Sequence, residues 1–506
     1  MKKIVTSILY AAICLSYTAC DLEKDPVSSF SEITIAKDTE DNDIKFATKE
    51  EMETQYNAMY KLISGSAQQE WTLDLTVFTD THSDNAYSGG SSNNLVTLES
   101  MRQDADNTVI ARSWDKYLSY ISTANIIISN VDKVPDASLT QAERNRWKAE
   151  AKIFRAWILF DMVRLWGDIP VQTQETPEIT AENVEEIYPL LYPARKPVSE
   201  VYEQIIQDLN EALPDAPKVQ TDNKFFLSAS VAKALLAKVY AEIPARDYAK
   251  VIEYCNQVEA DGFDLMPEYS DLFATNDAKT DVRYRNTKES IFEITYTPGS
   301  GQWLWSMYGV NELNPTSTYN WAKYLTPSRD LIRAFEKEGD KVRMGESMIF
   351  AKPSWTNHYK QDDPYFYPFM YKLRNNATSI MKIRFADILL LKAEALVEQN
   401  NLPEAARVVN RVRNRAKLND LAASITSSQE QMRNAVANER RLELAFEGHR
   451  WFDLVRTGKV LETMNTLQNR DEGRRVMEEL TEERVLFPVP QAQIDINPNL
   501  TQNPGY

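Results

Sequence analysis

Between Ala142 and Trp166 the chain reads AERNRWKAEAKIFRAWILFDMVRLW, and Trp147, Ala151, Phe154, Ile158 and Met162 recur at steps of three and four. Residues so spaced share one face of a helix, so the pattern predicts a long amphipathic helix, stopped by Gly167 and Pro170. Two other stretches predict helical hairpins, ALLAKVYAEIPARDYAKVIEYCNQV (234–258) and LLLKAEALVEQNNLPEAARVVNRVR (389–413). Ala237 and Ala249 stand twelve residues apart, as do Ala393 and Ala405, which puts small residues where two paired helices approach. That register predicts tetratricopeptide-like pairs, although the copies are too few and scattered for a regular solenoid. SSQEQMRNAVANERRLELAFE (427–447) predicts a further helix, with Gly448 supplying a left-handed end.

Elsewhere the helical period fails. WTLDLTVFTDTHSDNAYSGGSSNN (71–94) is rich in Asp, Asn, Ser and Gly and predicts a long exposed loop. From Phe263 to Tyr371 the chain gains Pro and Gly and holds 21 of its 52 Phe, Trp and Tyr in 109 residues. The remaining 397 residues hold 31, so this segment is a compositional break, predicting an irregular aromatic-rich insert in a mostly α protein.

At the N-terminus, Lys2 and Lys3 precede an apolar run from Ile4 to Leu15, too short to cross a bilayer and of the length of a secretory signal. Thr18 and Ala19 then place small residues before Cys20, as in a bacterial lipoprotein cleavage box, although Tyr17 departs from the usual Leu. Residues 1–19 are therefore read as a lipoprotein signal peptide, with Cys20 as the lipidation site. Cys14 leaves with the signal, so Cys255 has no intrachain disulfide partner. The rest divides into an anchor and linker (20–47), a helical scaffold (48–262) carrying the 71–94 loop, the insert (263–380) and a C-terminal hairpin with a terminal motif (381–506).

Composition changes the picture in two respects. With 43% hydrophobic and 26% charged residues and only 14 Gly, the chain can build an extensive core. Its formal charge of -17 disfavours nucleic acid, whose phosphates require clustered Lys and Arg.

One stretch could carry chemistry: LAFEGHRWFDLVRTG (444–458), with Glu447, His449 and Asp453. The chain has only three His, at 82, 358 and 449, and no zincin spacing, so neither a metal nor a cofactor is expected. Phe160-Asp161-Met162-Val163-Arg164, followed by Gly167, is echoed by Phe452-Asp453-Leu454-Val455-Arg456, followed by Gly458. Asp and Arg three apart can pair along a helix, and a repeated pattern of this kind is expected to be scaffold, not catalytic.

The lipoprotein leader, WDKYLSYISTANIIISNVD (114–132), EAKIFRAWILFDMVRLWGDIPV (150–171), ERRLELAFEGHRWFDLVRTGK (439–459) and the terminal LFPVPQAQIDINPNLTQNPGY together resemble the SusD/RagB family of outer-membrane nutrient-binding lipoproteins. The resemblance implies a binding protein without catalytic residues. It would be lipid-anchored outside the outer membrane and would deliver an oligosaccharide to a SusC-type TonB-dependent transporter. Aromatic faces stack on the apolar side of sugar rings, which points to Trp303, Trp305, Tyr308 and Trp321 as the ligand platform. Trp71, Asp84, Asn85 and Tyr87, in the loop that corresponds to part of the family's ligand face, are second-rank candidates. Two other readings are a peptide or other nutrient as cargo, and a helical glycoside hydrolase, which would need two carboxyl groups about 5 to 10 Å apart.

Overall fold

The computed structural model describes residues 44–506 apart from 90–91, 178, 180–182, 220, 309–323 and 352–366, so Cys20 and its leader lie outside the described residues. Lys45–Tyr506 forms one compact unit. No described helix is long and apolar enough to cross a membrane.

The principal helices are α1 (Lys49–Ser64), α2 (Thr108–Asn130), α3 (Gln141–Trp166), α4 (Val198–Ala212), α5 (Ala229–Ala241), α6 (Tyr248–Ala260), α7 (Leu304–Met307), α8 (Arg329–Glu338), α9 (Phe385–Glu398), α10 (Leu402–Arg415), α11 (Gln429–Glu443) and α12 (Arg450–Arg456). The chain is mostly α, as its periodicity predicts. Two capping boxes start α1 and α3: Thr48 and Thr140 each accept from the amide of the Glu three residues on, and that Glu accepts in return.

Both predicted hairpins form as packed pairs, α5 on α6 and α9 on α10, and α9 also packs on α6 and α11. Enclosure by these neighbours buries every residue of α9 from Phe385 to Val397. The long helix α3 differs from the one-faced helix its spacing predicts: from Ala149 to Trp166 all residues are buried except Lys152 and Arg164. Sandwiching between α2 and α4 is the cause, since each covers a different side. Gly167 ends it at φ +73°, where a Cβ would fall 2.7 Å from Leu486 Cδ1, so the terminal motif lies directly against this turn. The Phe487 amide donates to Leu165 O at 2.8 Å, and Asn503 Nδ2 donates to Trp166 O at 2.9 Å.

Strands are few among the described residues. They form three antiparallel pairs, β1 (Ala86–Tyr87) with β3 (Thr326–Pro327), β2 (Ser290–Ile294) with β6 (Ile380–Arg384), and β4 (Met348–Ala351) with β5 (Tyr367–Met370). Helix α11 stops at Glu443, short of the predicted end; Phe446 and Gly448 both take positive φ, +65° and +83°.

Candidate functional site

The 71–94 stretch is where the structure departs most from sequence expectation. In place of an exposed loop, it begins in two wide, π-type helical turns, Gln69–Asp74 and Val77–Thr81, and residues 71–88 are all buried. Its polar side chains are buried because they hold the C-terminal motif. Arg450 donates to both Asp84 oxygens at 2.7 and 2.9 Å, while Arg441 Nη2 lies 3.2 Å and Arg470 Nη2 3.6 Å from Asp84 Oδ2. Burial alone would raise the Asp84 carboxyl, but these guanidinium groups hold it well below the usual carboxylate range. Asp80 accepts from the amides of Phe446 and Gly448 at 3.0 and 3.1 Å and from Asn85 Nδ2 at 2.9 Å; burial pushes its carboxyl up to about 6. Tyr87 donates to Asp471, and Asn85 Oδ1 accepts from Arg441 Nε at 3.0 Å. Trp71 donates its indole N–H to Asp161 at 2.8 Å and packs edge-on against Phe154 and Trp157. The second-rank candidates Trp71, Asp84, Asn85 and Tyr87 thus present no face to solvent.

The LAFEGHRWFDLVRTG stretch supplies the other half of this knot. Glu447 accepts from Arg384 at 2.6 and 2.8 Å and from Lys372 at 2.5 Å. Asp453 is shared by Arg440, at 3.0 and 3.1 Å, and Arg456, at 2.7 and 3.1 Å. Burial lowers the His449 imidazole to about 3, outweighing the nearby Asp387 carboxylate. The two echoed motifs meet: Arg164 of the first lies over Phe160 at 3.8 Å and over Phe452 of the second at 3.7 Å from the ring centres. Every charged group in the stretch is consumed by packing, which leaves no free acid-base pair there. No described group of three His, Cys, Asp or Glu could hold a metal.

In the insert the aromatics separate by face. Short helix α7 is fastened to the 375–376 turn: Gln302 N donates to Asn376 O at 2.7 Å, Gln302 Nε2 donates to Asn375 O at 2.9 Å, and Trp305 N donates to Gln302 Oε1 at 2.9 Å. A Cβ at Gly301 would lie within 3 Å of three Asn376 atoms, so only glycine allows this approach. Leu304 and Tyr308, four apart, point into the core, and Tyr308 is only 2% exposed. Trp303 faces outward with 40% of its surface exposed, one of the few large apolar side chains so placed, and Trp305 is half-buried. Trp321 lies outside the described residues. The ledge therefore comprises Trp303 and Trp305, with Asn376 packed against Gly301 beside them.

Behind α7 lies a cavity of about 70 Å³. Tyr308, Thr72, Thr76, Lys372, Ser379, Lys382 and Glu447 are its polar lining, and Leu75, Phe273, Met370, Ile380, Met381 and Phe446 contribute apolar walls. Sequence reasoning named Tyr308 and Glu447 but did not bring this set together, because it is gathered from positions 72 to 448 and no local spacing marks it.

Frame and insert together define a class: a helical scaffold, knotted by buried ion pairs, that carries an aromatic ledge. The model of the SusD family matches residues 367–506, and a second SusD-like model, described as starch-binding and associating with the outer membrane, matches residues 23–241. A SusD-like protein of Formosa agariphila is 28% identical over the full length of both chains. Among solved structures, a SusD homologue from Bacteroides thetaiotaomicron superposes with a TM-score of 0.73 at 20% identity, covering 93% of this chain and 99% of the other. A laminarin-binding SusD-like protein superposes at 0.69 with 22% identity, covering 91% and 100%. The chain belongs to the SusD family.

Proposed function

We propose that this protein captures an oligosaccharide at the cell surface and passes it to a SusC-type TonB-dependent transporter, without chemical turnover. The observation that carries the reading is the outward Trp303, with Trp305 beside it, on a short helix held rigidly by Gln302 and Asn376. A flat apolar indole face open to solvent matches a sugar, which offers C–H patches on one side of its ring. The laminarin-binding relative in the same fold, and the starch-binding description of the matching family, support a glycan as cargo. Trp321 joins the platform in this reading, and Cys20, once acylated, holds the protein to outer-membrane lipid.

A glycan array combined with product analysis tests the proposal. Binding without released product is expected. Turnover would indicate a hydrolase, and capture of peptides with no glycan bound would indicate another nutrient in the same architecture.

A further inference from the structure

The cavity behind α7 is distinct from the ledge. Its volume of about 70 Å³ corresponds to roughly five water-sized sites at about 10–15 Å³ each, too small for an oligosaccharide. One wall is Thr72, in the wide turn Gln69–Asp74, with Leu75 and Thr76 just after it; such turns recur at functional sites. Another is the run Ser379–Lys382 leading into β6.

Lys382 is the unusual member of the lining. Its ammonium donates to Trp71 O at 2.5 Å and lies 4.5 Å from the centre of the Trp71 ring. Among the described residues no carboxylate lies within ion-pair distance of it, whereas Lys372, on the same cavity, is paired with Glu447. The nearest acidic influence is Asp161, which already accepts from Trp71 Nε1 and Arg164. Glu447 is likewise engaged on both oxygens, by Arg384 and Lys372. Burial lowers the Lys382 amine to about 8; Asp161 opposes this, while Arg164 and Lys238 add to it. Lys382 is half-buried, and with only a carbonyl and an aromatic face for company its ammonium has a place open to a counterion on the cavity side.

We infer that this cavity binds a small aliphatic carboxylate, with Lys382 as its counter-charge and the Leu75, Phe273, Met370 and Phe446 walls covering its apolar body. Thr72, which makes no side-chain hydrogen bond among the described residues, supplies a hydroxyl for the second carboxylate oxygen. This site is independent of the glycan reading, because none of the residues that hold the ledge in place lines it.

Butyrate and its neutral isostere n-butanol are the probes, titrated calorimetrically into the full chain and its Lys382→Met variant. The expected result is butyrate binding that Lys382→Met weakens at least about tenfold, with n-butanol far weaker and indifferent to the substitution. In parallel, the 13C shift of the Lys382 ε-carbon, followed against pH on the parent protein, should show the amine pKa rising when butyrate binds. That measurement decides the matter if Lys382→Met does not fold. Equal binding of butyrate and n-butanol, no butyrate binding at millimolar concentrations, undiminished affinity in the variant, or an unmoved Lys382 titration would each overturn the inference.

Discussion

Asp453 is of a residue type that acid-base chemistry uses, yet its contacts are those of the scaffold its repeated motif predicts. Its carboxylate pairs with Arg440 and Arg456, whose side chains are almost fully enclosed, so Asp453→Ala leaves Arg440 to Asp387 and Arg456 to Glu394 alone. A loss below the roughly 3 to 5 kcal/mol of a fully broken buried pair is expected in denaturant unfolding, with glycan affinity of the folded fraction unchanged. Histidine gives a pH prediction of definite sign. Burial depresses His449 to about 3 and His82 to about 4, below the unfolded value near 6.5. The unfolded chain therefore binds protons that the native state refuses, and stability falls as pH drops from about 6.5 toward 4. Asp80, raised to about 6, works the other way, since its native carboxyl takes up a proton before the unfolded one does. Asp115, also raised to about 6, acts with Asp80; because the imidazole contribution is removed on its own, the variant His82→Asn/His449→Gln should show a shallower decline of melting temperature over that window. An unchanged slope would assign the acid sensitivity elsewhere.

At the scale of elements, legibility followed the reach of the interactions. The helical pairs α5–α6 and α9–α10 could be read because their packing is encoded within some 25 residues of alternating apolar and small positions. The Asp161–Arg164 and Asp453–Arg456 pairs were equally local. By contrast, the 71–94 segment looked exposed because Asp, Asn and Ser usually face water, and the arginines that bury them arrive more than 350 residues later. Tyr308 was indistinguishable from Trp303 by composition; only the anchoring of α7 by Gln302 turned one inward and the other out. The same long-range clamp supports a prediction: Asp84→Asn leaves Arg450 poorly paired and Arg441 held by Asp330, so amide exchange should accelerate across both 69–87 and 450–456 together. Acceleration in only one segment would show that Asp84 does not couple them.

For the whole molecule, two predictions separate anchoring from binding. Acylation of Cys20 would bury several chains at about 0.8 kcal/mol per methylene, so Cys20→Ala should move the protein out of the membrane fraction and abolish palmitate labelling. Retention of both would refute lipidation at this residue. In the proposed reading binding rests on the ledge, where Trp303 faces outward while Tyr269, Tyr308 and Phe335 of the insert are buried. The most direct measurement is calorimetric titration of the best array glycan into the parent, Trp303→Ala and Trp305→Ala proteins, with thermal unfolding alongside. The account predicts a loss of about 1 to 3 kcal/mol of binding in Trp303→Ala, with its melting temperature held and Trp305→Ala affected in the same direction. Parental affinity in both variants, or loss of binding only through unfolding, would contradict it.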